Sequence, residues 1–582
     1  MSELYRALRI SDGLHAVGRR DPQRLALECE GRRFTYGELR ERVQRVSGAA
    51  LRELGVNLGD RVAILAPNCA EYPELLCGFS DVGGIVVTLN ARSPAAEIAA
   101  TCRDCSPSVL VVHPSLEAVA REALALGLGD RKPRLIVLGS EYERWLASHS
   151  PIDERELPRF AETEPFTLVY SSGTTGQPKG IVISHRSRAL TFHGMAMEYG
   201  CYSPDDRFLA LAPMSHGAGF AFMMCTLYFG GFVEIATRFD PARVLERLAV
   251  GRFTGVFMVP THFQAILALP AETLARYRGA FEALQTIISN AAALPQPLKE
   301  KVIDYFGEGL LHETYGSTEA GIVTNIRPQD QLRTQQSVGR AFALNEIRLL
   351  APDGSEVPVG EVGELFSRSP YLFESYWNKP ELTAECVREG GWVSAGDLAR
   401  RDAEGFLYIV DRKKDMLVTG GFNVYPREVE IVLEQHPAVR ESCVVGVPDA
   451  HWGERVRGFV VLREGQEAGQ ALADDIVAFA RLQLAGYKVP RELGFIDAVP
   501  RNVGGKVLKR ELREGAHPYL RFIRSRSLFS STLQQAGAGN MPPTGRTRVD
   551  AAFAQVPNRP DESAADASAD GPVCQRLADR YR

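Results

Sequence analysis

No stretch of this sequence reaches the roughly 20 consecutive apolar residues that a membrane-spanning helix needs, so no integral membrane segment is expected. The opening Met1-Ser2-Glu3-Leu4-Tyr5 lacks a basic start followed by an apolar run, which argues against a secretory leader. A large charge of either sign is missing too. The net charge is -5 over 582 residues, which gives no reason to expect a nucleic-acid partner. Cysteine is present but not organised. The 10 cysteines are scattered, and Cys102-Arg103-Asp104-Cys105 is a lone CxxC. Two half-buried thiols on a helix are favoured there over zinc or redox chemistry. Reduced thiols point to a cytoplasmic setting. No internal repeat is visible.

What is present is globular: 45% hydrophobic and 24% charged residues, in a chain too long for one ordinary core. Phe34-Thr35-Tyr36-Gly37-Glu38-Leu39 opens an amphipathic helix with apolar positions at Leu39, Val43, Val46 and Leu51. Apolar strands at residues 61–65, 84–90 and 109–112 alternate with helices near 74–79 and 95–101. That alternation predicts a layered α/β domain. Residues 530–572 are rich in Ser, Ala, Gly, Asp and Pro with few large apolar side chains. Such a composition cannot bury enough surface to offset chain entropy, so a disordered tail is expected from residue 516 to 582.

The most specific stretch is Tyr170-Ser171-Ser172-Gly173-Thr174-Thr175-Gly176-Gln177-Pro178-Lys179-Gly180. It lies between two apolar runs that read as strands, Phe166 to Tyr170 and Gly180 to Ile183, with Ser184 as the cap of a following helix. A Gly/Ser/Thr loop between strands can aim N–H groups and hydroxyls at one anion, and glycine lets the backbone come close. The bland alternative is a mobile linker, which has no need of Pro-Lys-Gly. The pattern is not a Walker A loop, which needs four residues between its first Gly and a Gly-Lys pair followed by Ser or Thr; Gly173 is followed by Thr-Thr-Gly, and Lys179 is followed by Gly180.

This loop resembles the phosphate-binding motif of the adenylate-forming superfamily, which includes acyl-CoA synthetases, aryl-CoA ligases, luciferases and peptide-synthetase adenylation domains. The resemblance runs from about Phe34 to Leu512 and rests on further motifs: Tyr315-Gly316-Ser317-Thr318-Glu319, Gly396-Asp397, Asp411-Arg412-Lys413-Lys414 and Asn502-Val503-Gly504-Gly505-Lys506. It implies a large N-terminal domain of several α/β subdomains (residues 1–411) and a small mobile α+β C-terminal domain (412–515). Ser171, Ser172, Gly173, Thr174, Thr175, Gly176 and Lys179 would then hold phosphates. Ala291, Ala292 and Ala293, where relatives usually carry glycine, would lie under adenine, with Tyr315 and Gly316 beside it. Thr318 would touch phosphate, Glu319 would hold Mg²⁺, Asp397 both ribose hydroxyls, and Arg412 would reach the nucleotide. Lys506 would be the mobile catalytic lysine. Gly420 and Gly421 would line the pantetheine tunnel. His216, Gly217, Phe220, Met224, His262, Ala291 and Gly316 would border the acyl pocket.

The implied reaction is ATP-dependent activation of a carboxylic acid to an acyl-adenylate, followed by transfer to CoA. The rival readings that the resemblance admits are transfer to a carrier protein or other acceptor and, more distantly, activation of an unusual acid such as nitrite. A nucleotide sensor without catalysis is disfavoured by the presence of Lys506, Glu319 and Asp397 together. The resemblance is compatible with a homodimer. Amino-acid-activating relatives place an acidic residue near the start of the pocket helix. Between Pro213 and Phe229 there is no Asp or Glu, so an α-amino acid is excluded and an apolar or aromatic acid is expected.

Overall fold

The computed structural model describes residues 7–128, 132–172, 178–449, 451–501, 507–515 and 521–524, with the backbone alone at 171, 172, 178 and 521–524. Expectations for Gly173, Thr174, Thr175, Gly176, Lys506 and most of the tail fall outside the described residues; within the tail expected to be disordered, Arg521–Arg524 instead forms a strand, because its backbone pairs antiparallel with Glu492–Phe495. Among those described, no helix is long and apolar enough to cross a membrane.

The described strands form four sheets. The first has nine strands, and the run Phe232–Ile235, Arg207–Ala210, Gly255–Met258, Thr286–Ser289 and Leu311–Ser317 is parallel throughout. The second has seven, centred on the parallel strands Ile85–Leu89, Arg61–Leu65 and Val109–Val112. Val109-Leu110-Val111-Val112 is buried at every position, as a strand covered on both faces must be. The third sheet, six-stranded, pairs its strands antiparallel between Glu346 and Arg412. The fourth is formed by strands from Leu417 onward.

Local chemistry sets the element ends. The expected helix after Phe34 starts at Tyr36 and runs to Arg52, because the Thr35 side chain caps it and Glu38 returns the bond to the Thr35 N–H. Ser184 caps helix His185–Tyr199 by accepting from Ser187 N. Helix Gly217–Phe229 is buried at every position from Gly219 to Tyr228. One core unites Phe166 and Ile181 of the second sheet, Leu27 and Phe257 of the first, and Phe192 and Met224 of these two helices. The CxxC thiols are not half-buried as expected. Cys102 and Cys105 are both fully buried, and burial pushes both thiols up, Cys102 to about 12, so neither is poised to react.

The parallel strands of the first sheet end at one edge, and His216, His262, Ala291 and Tyr315 lie at or just beyond those ends. In open α/β sheets this carboxyl edge is where ligands bind. One ion pair fixes part of it from below. Lys299, 1% exposed, lies 2.7 Å from the Glu313 carboxylate, and Glu313 also accepts from Leu294 N at 3.1 Å. The strand that carries Tyr315 thus holds down the segment after the three alanines. Removing one partner of such a pair strands a buried charge and costs about 3–5 kcal/mol. Lys299→Met should therefore lower the melting temperature sharply. A melt within a degree of the parent would show the pair to be dispensable.

Candidate active site

Asp397 collects residues that are far apart in sequence. It is 4% exposed, and its Oδ2 accepts from the Tyr315 hydroxyl at 2.5 Å while its Oδ1 lies 3.2 Å from Arg412 Nε. The pairing of strands Asp397–Arg401 and Leu407–Arg412 places Asp397 opposite Arg412. Gly396, at φ +78, makes the turn before it, and its N–H donates to the Ser394 hydroxyl at 3.0 Å. Burial, and then the Asp397 carboxylate, pushes the Tyr315 hydroxyl well above its ordinary pKa, so it stays a donor.

A second group adjoins it. Strand Leu311–Ser317 turns into strand Gly321–Ile326 through Thr318 and Glu319. Gly316 is required at that turn, since a Cβ there would lie 2.1 Å from the Gly321 carbonyl oxygen. Half-buried Glu319 accepts from the Tyr376 hydroxyl at 2.7 Å, and its carbonyl accepts from Phe373 N at 2.8 Å. Lys179 Nζ sits 5.5 Å from the centre of the Tyr376 ring. Burial, and then Glu319, raises the Tyr376 pKa, with Arg412 opposing. Lys179, Tyr376, Glu319, Tyr315, Asp397 and Arg412 thus form one chain of contacts and fields at the carboxyl edge. Sequence reasoning missed Tyr376. Its cue is the aromatic pair Tyr376-Trp377 before Asn378, which takes φ +52.

Ala291, Ala292 and Ala293 are exposed just past strand Thr286–Ser289. Ala291 takes φ +75, a left-handed conformation that favours glycine, and its N–H donates to the Asn290 side chain. Asn290 in turn donates to Thr314 Oγ1 at 2.6 Å.

His216 precedes helix Gly217–Phe229 as its N-cap residue. The turn before it is pinned by Asn68, also unforeseen: Asn68 accepts from Met214 N at 2.8 Å and donates to the Ala212 carbonyl at 3.0 Å. The His216 ring is exposed yet closely surrounded, and burial, then Arg92, lowers its pKa, so it is neutral at pH 7. A Cβ added to Gly217 would meet open space. Phe220 and Met224 pack into the core at 3% and 0% exposure. His262 stacks on Phe239 at 4.1 Å, and burial holds its pKa at about 4.

Gly420 and Gly421, at φ +57 and +82, turn the hairpin of strands Leu417–Thr419 and Phe422–Val424. Gly420 is crowded by the Trp452 ring, whereas a Cβ at Gly421 would meet nothing within 4 Å. Among the described residues, no hydrogen bond or ring contact joins this hairpin to the Asp397 and Glu319 groups. A cleft of about 560 Å³ lined by Arg207, Thr254 and Gln285 opens at the amino ends of the parallel strands, away from these groups.

Residues 14–377 match the family model described as AMP-binding enzyme, and residues 428–506 match AMP-binding enzyme C-terminal domain. The chain is 37% identical over 503 residues to a feruloyl-CoA synthase of Amycolatopsis, covering 85% of this chain and 96% of that one. Its fold is similar to ATP-bound MatB from Rhodopseudomonas palustris, with TM-score 0.78 and 30% identity over 87% of this chain and 99% of the other. It is also similar to the anthranilate CoA ligase AuaEII in complex with anthranoyl-AMP, with TM-score 0.78 and 28% identity over 89% and 99% of the two chains.

Glu319 suits Mg²⁺, which binds through one or two carboxylates plus substrate phosphates, and Tyr376 fixes one of its oxygens while the other remains to ligate. Tyr376→Phe keeps the ring under Lys179 and removes only the donor. It should weaken Mg²⁺-dependent nucleotide binding about 10–100-fold with the melting temperature unchanged. Titrating Mg²⁺ at fixed nucleotide in a calorimeter measures this, and an unchanged midpoint would remove Tyr376 from the site.

Proposed function

The chain belongs to the AMP-binding enzyme family, within the adenylate-forming superfamily, and from that premise we propose that it is an AMP-forming acid–CoA ligase for an apolar or aromatic acid. One observation supports this most: residues from positions 179 to 412 meet around two carboxylates at the ligand-binding edge of the sheet.

In the first step an acid oxygen bonds to the α-phosphorus of ATP as the bond to pyrophosphate breaks. An anion meets a polyanion, so alignment and charge neutralisation carry the rate. A carboxylate offers about four acceptor sites. Tyr315 and Arg412 take one on each oxygen of Asp397, which leaves one on each for the two ribose hydroxyls. Lys179 supplies positive charge where the phosphate loop rejoins its strand, opposite Ser171. A Mg²⁺ ion bound with ATP would neutralise phosphate charge, with Glu319 as its protein ligand. Lys506 is proposed to bind the charge between the two reactants. In the second step the CoA sulfur bonds to the acyl carbon, AMP departs with the bonding pair, and the thiol proton passes to solvent. Gly421 is proposed to line the path by which the thiol enters, after the small domain has turned about the hinge near Arg412.

Pyrophosphate release and thioester formation, measured over a panel of acids, test the reading. Aryl and medium-chain acids should support both. α-Amino acids and nitrite should support neither, and a product on a carrier protein but not on CoA would move the enzyme to another class. Lys506→Ala should slow pyrophosphate release about 10²–10³-fold, yet still convert supplied acyl-adenylate and CoA to thioester. Equal loss in both half-reactions would contradict the two-step assignment.

A further inference from the structure

Helix His185–Tyr199 begins with two arginines in its first turn, and they have opposite fates. Arg186 is exposed and pairs with Glu162 at 3.1 Å. Arg188 is only 9% exposed. Its guanidinium lies 5.4 Å from the centre of the Phe220 ring, and its buried Nε has no hydrogen-bond partner. Among the described residues no carboxylate, carbonyl or hydroxyl takes up its charge. Other largely buried arginines are paired: Arg42 holds Glu74 and Glu143, and Arg457 holds Glu492. Burial is the sole influence on the Arg188 pKa, which drops to about 10, and no nearby anion offsets it.

A buried charge without a partner is costly, and an aromatic face returns only part of that cost. The rest of the penalty stands in the free protein. An acceptor oxygen brought to the guanidinium by a ligand would relieve it. The position of Phe220 indicates which ligand. Phe220 lies three residues beyond Gly217 and four beyond His216, about one helical turn and roughly 5 Å along the axis. Gly217 faces open space at the end of that helix. An acyl group entering beside Gly217 and running along the helix would bring its far end toward the Arg188 guanidinium.

We infer that Arg188 is a specificity residue, and that the acid this enzyme activates carries an acceptor oxygen at the end distant from the reacting carboxylate. The inference rests on the ligase reading above and narrows its substrate class. A second carboxylate would complete an ion pair, and a carbonyl would accept one or two guanidinium N–H groups; both share the chemistry. Sites built to hydrogen-bond one substrate group discriminate strongly against analogues that lack it, because their own buried groups are then left unpaired.

The test uses pyrophosphate release by the full chain with three matched acids: 3-phenylpropanoate, its 4-acetyl derivative and its 4-carboxy derivative. The parent enzyme should favour one or both oxygen-bearing acids over 3-phenylpropanoate by about 10²-fold or more in kcat/KM. The two derivatives separate carbonyl from carboxylate. Arg188→Leu should bring that ratio close to one, mainly by lowering kcat/KM for the oxygen-bearing acids, and should melt no lower than the parent. Arg188→Lys should keep part of a preference for the carboxylate. A parent ratio near one overturns the inference and needs no variant. So does an Arg188→Leu enzyme that retains the ratio, or one that melts lower and loses all three acids equally. If no acid of any kind releases pyrophosphate, the ligase reading itself fails and this inference falls with it. Turnover of 3-phenylpropanoate without discrimination sinks only the role of Arg188.

Discussion

The hydrogen bond from Tyr315 to Asp397 is the contact on which the site depends. Tyr315 sits at the end of a parallel strand of the first sheet, and Asp397 opens a strand of the third. Arg412 on the opposite oxygen ends the next strand, five residues before the fourth sheet begins at Leu417. One buried carboxylate therefore joins the sheet that presents the ligand edge to the third sheet and to the segment that leads on to the fourth. Loss of the tyrosine donor would leave a nearly buried anion with one partner, and the Arg412 side chain would lose its fixed counterpart.

The same device appears twice. Asp397 and Glu319 are each held by a tyrosine hydroxyl, and burial keeps both phenols protonated. At Glu319 the tyrosine donor orients the carboxylate without cancelling its charge, whereas Asp397 is also paired with Arg412. That distinction matters where one carboxylate is to accept from neutral hydroxyls and the other is to meet a cation. The positive charges, Lys179 and Arg412, stand beside these groups, where a polyphosphate would need them.

Much of this was legible in the sequence, because it follows from local rules. Strands Pro165–Ser172 and Pro178–Ser184 were marked by apolar runs on each side of a small-residue loop, and the Ser184 cap by its place before the following helix. The grouping of Tyr315, Asp397 and Arg412 was reached through resemblance, since no periodicity links positions 82 residues apart. What was not legible depends on tertiary contact alone. Nothing in the segment around Asn68 announces that its amide pins the turn before His216. A lysine at position 299 reads as a solvated helix residue, yet it is buried on Glu313. Arg188 follows an equally polar neighbour and goes inward, a choice made by the packing of two helices and not by either sequence. The thiols of the CxxC were expected half-buried because helix periodicity cannot show that both faces are covered.

Ala291 shows how the strained part of the site is held. A left-handed alanine costs about 1–2 kcal/mol, partly offset because alanine loses less chain entropy than the glycine usual in relatives. Such a residue persists only when its surroundings over-determine it. Here they do. Asn290 accepts from the Ala291 N–H and donates to Thr314, one residue before Tyr315. Leu294, at the other end of the segment, donates to Glu313, which Lys299 holds in turn. The three exposed alanines are thus tied at both ends to the strand that carries Tyr315. On the proposed reading, adenine lies against that segment beside the Tyr315 ring. Both walls would then move as one body, and the alanine methyl groups would set the width of the slot, which glycines would leave wider.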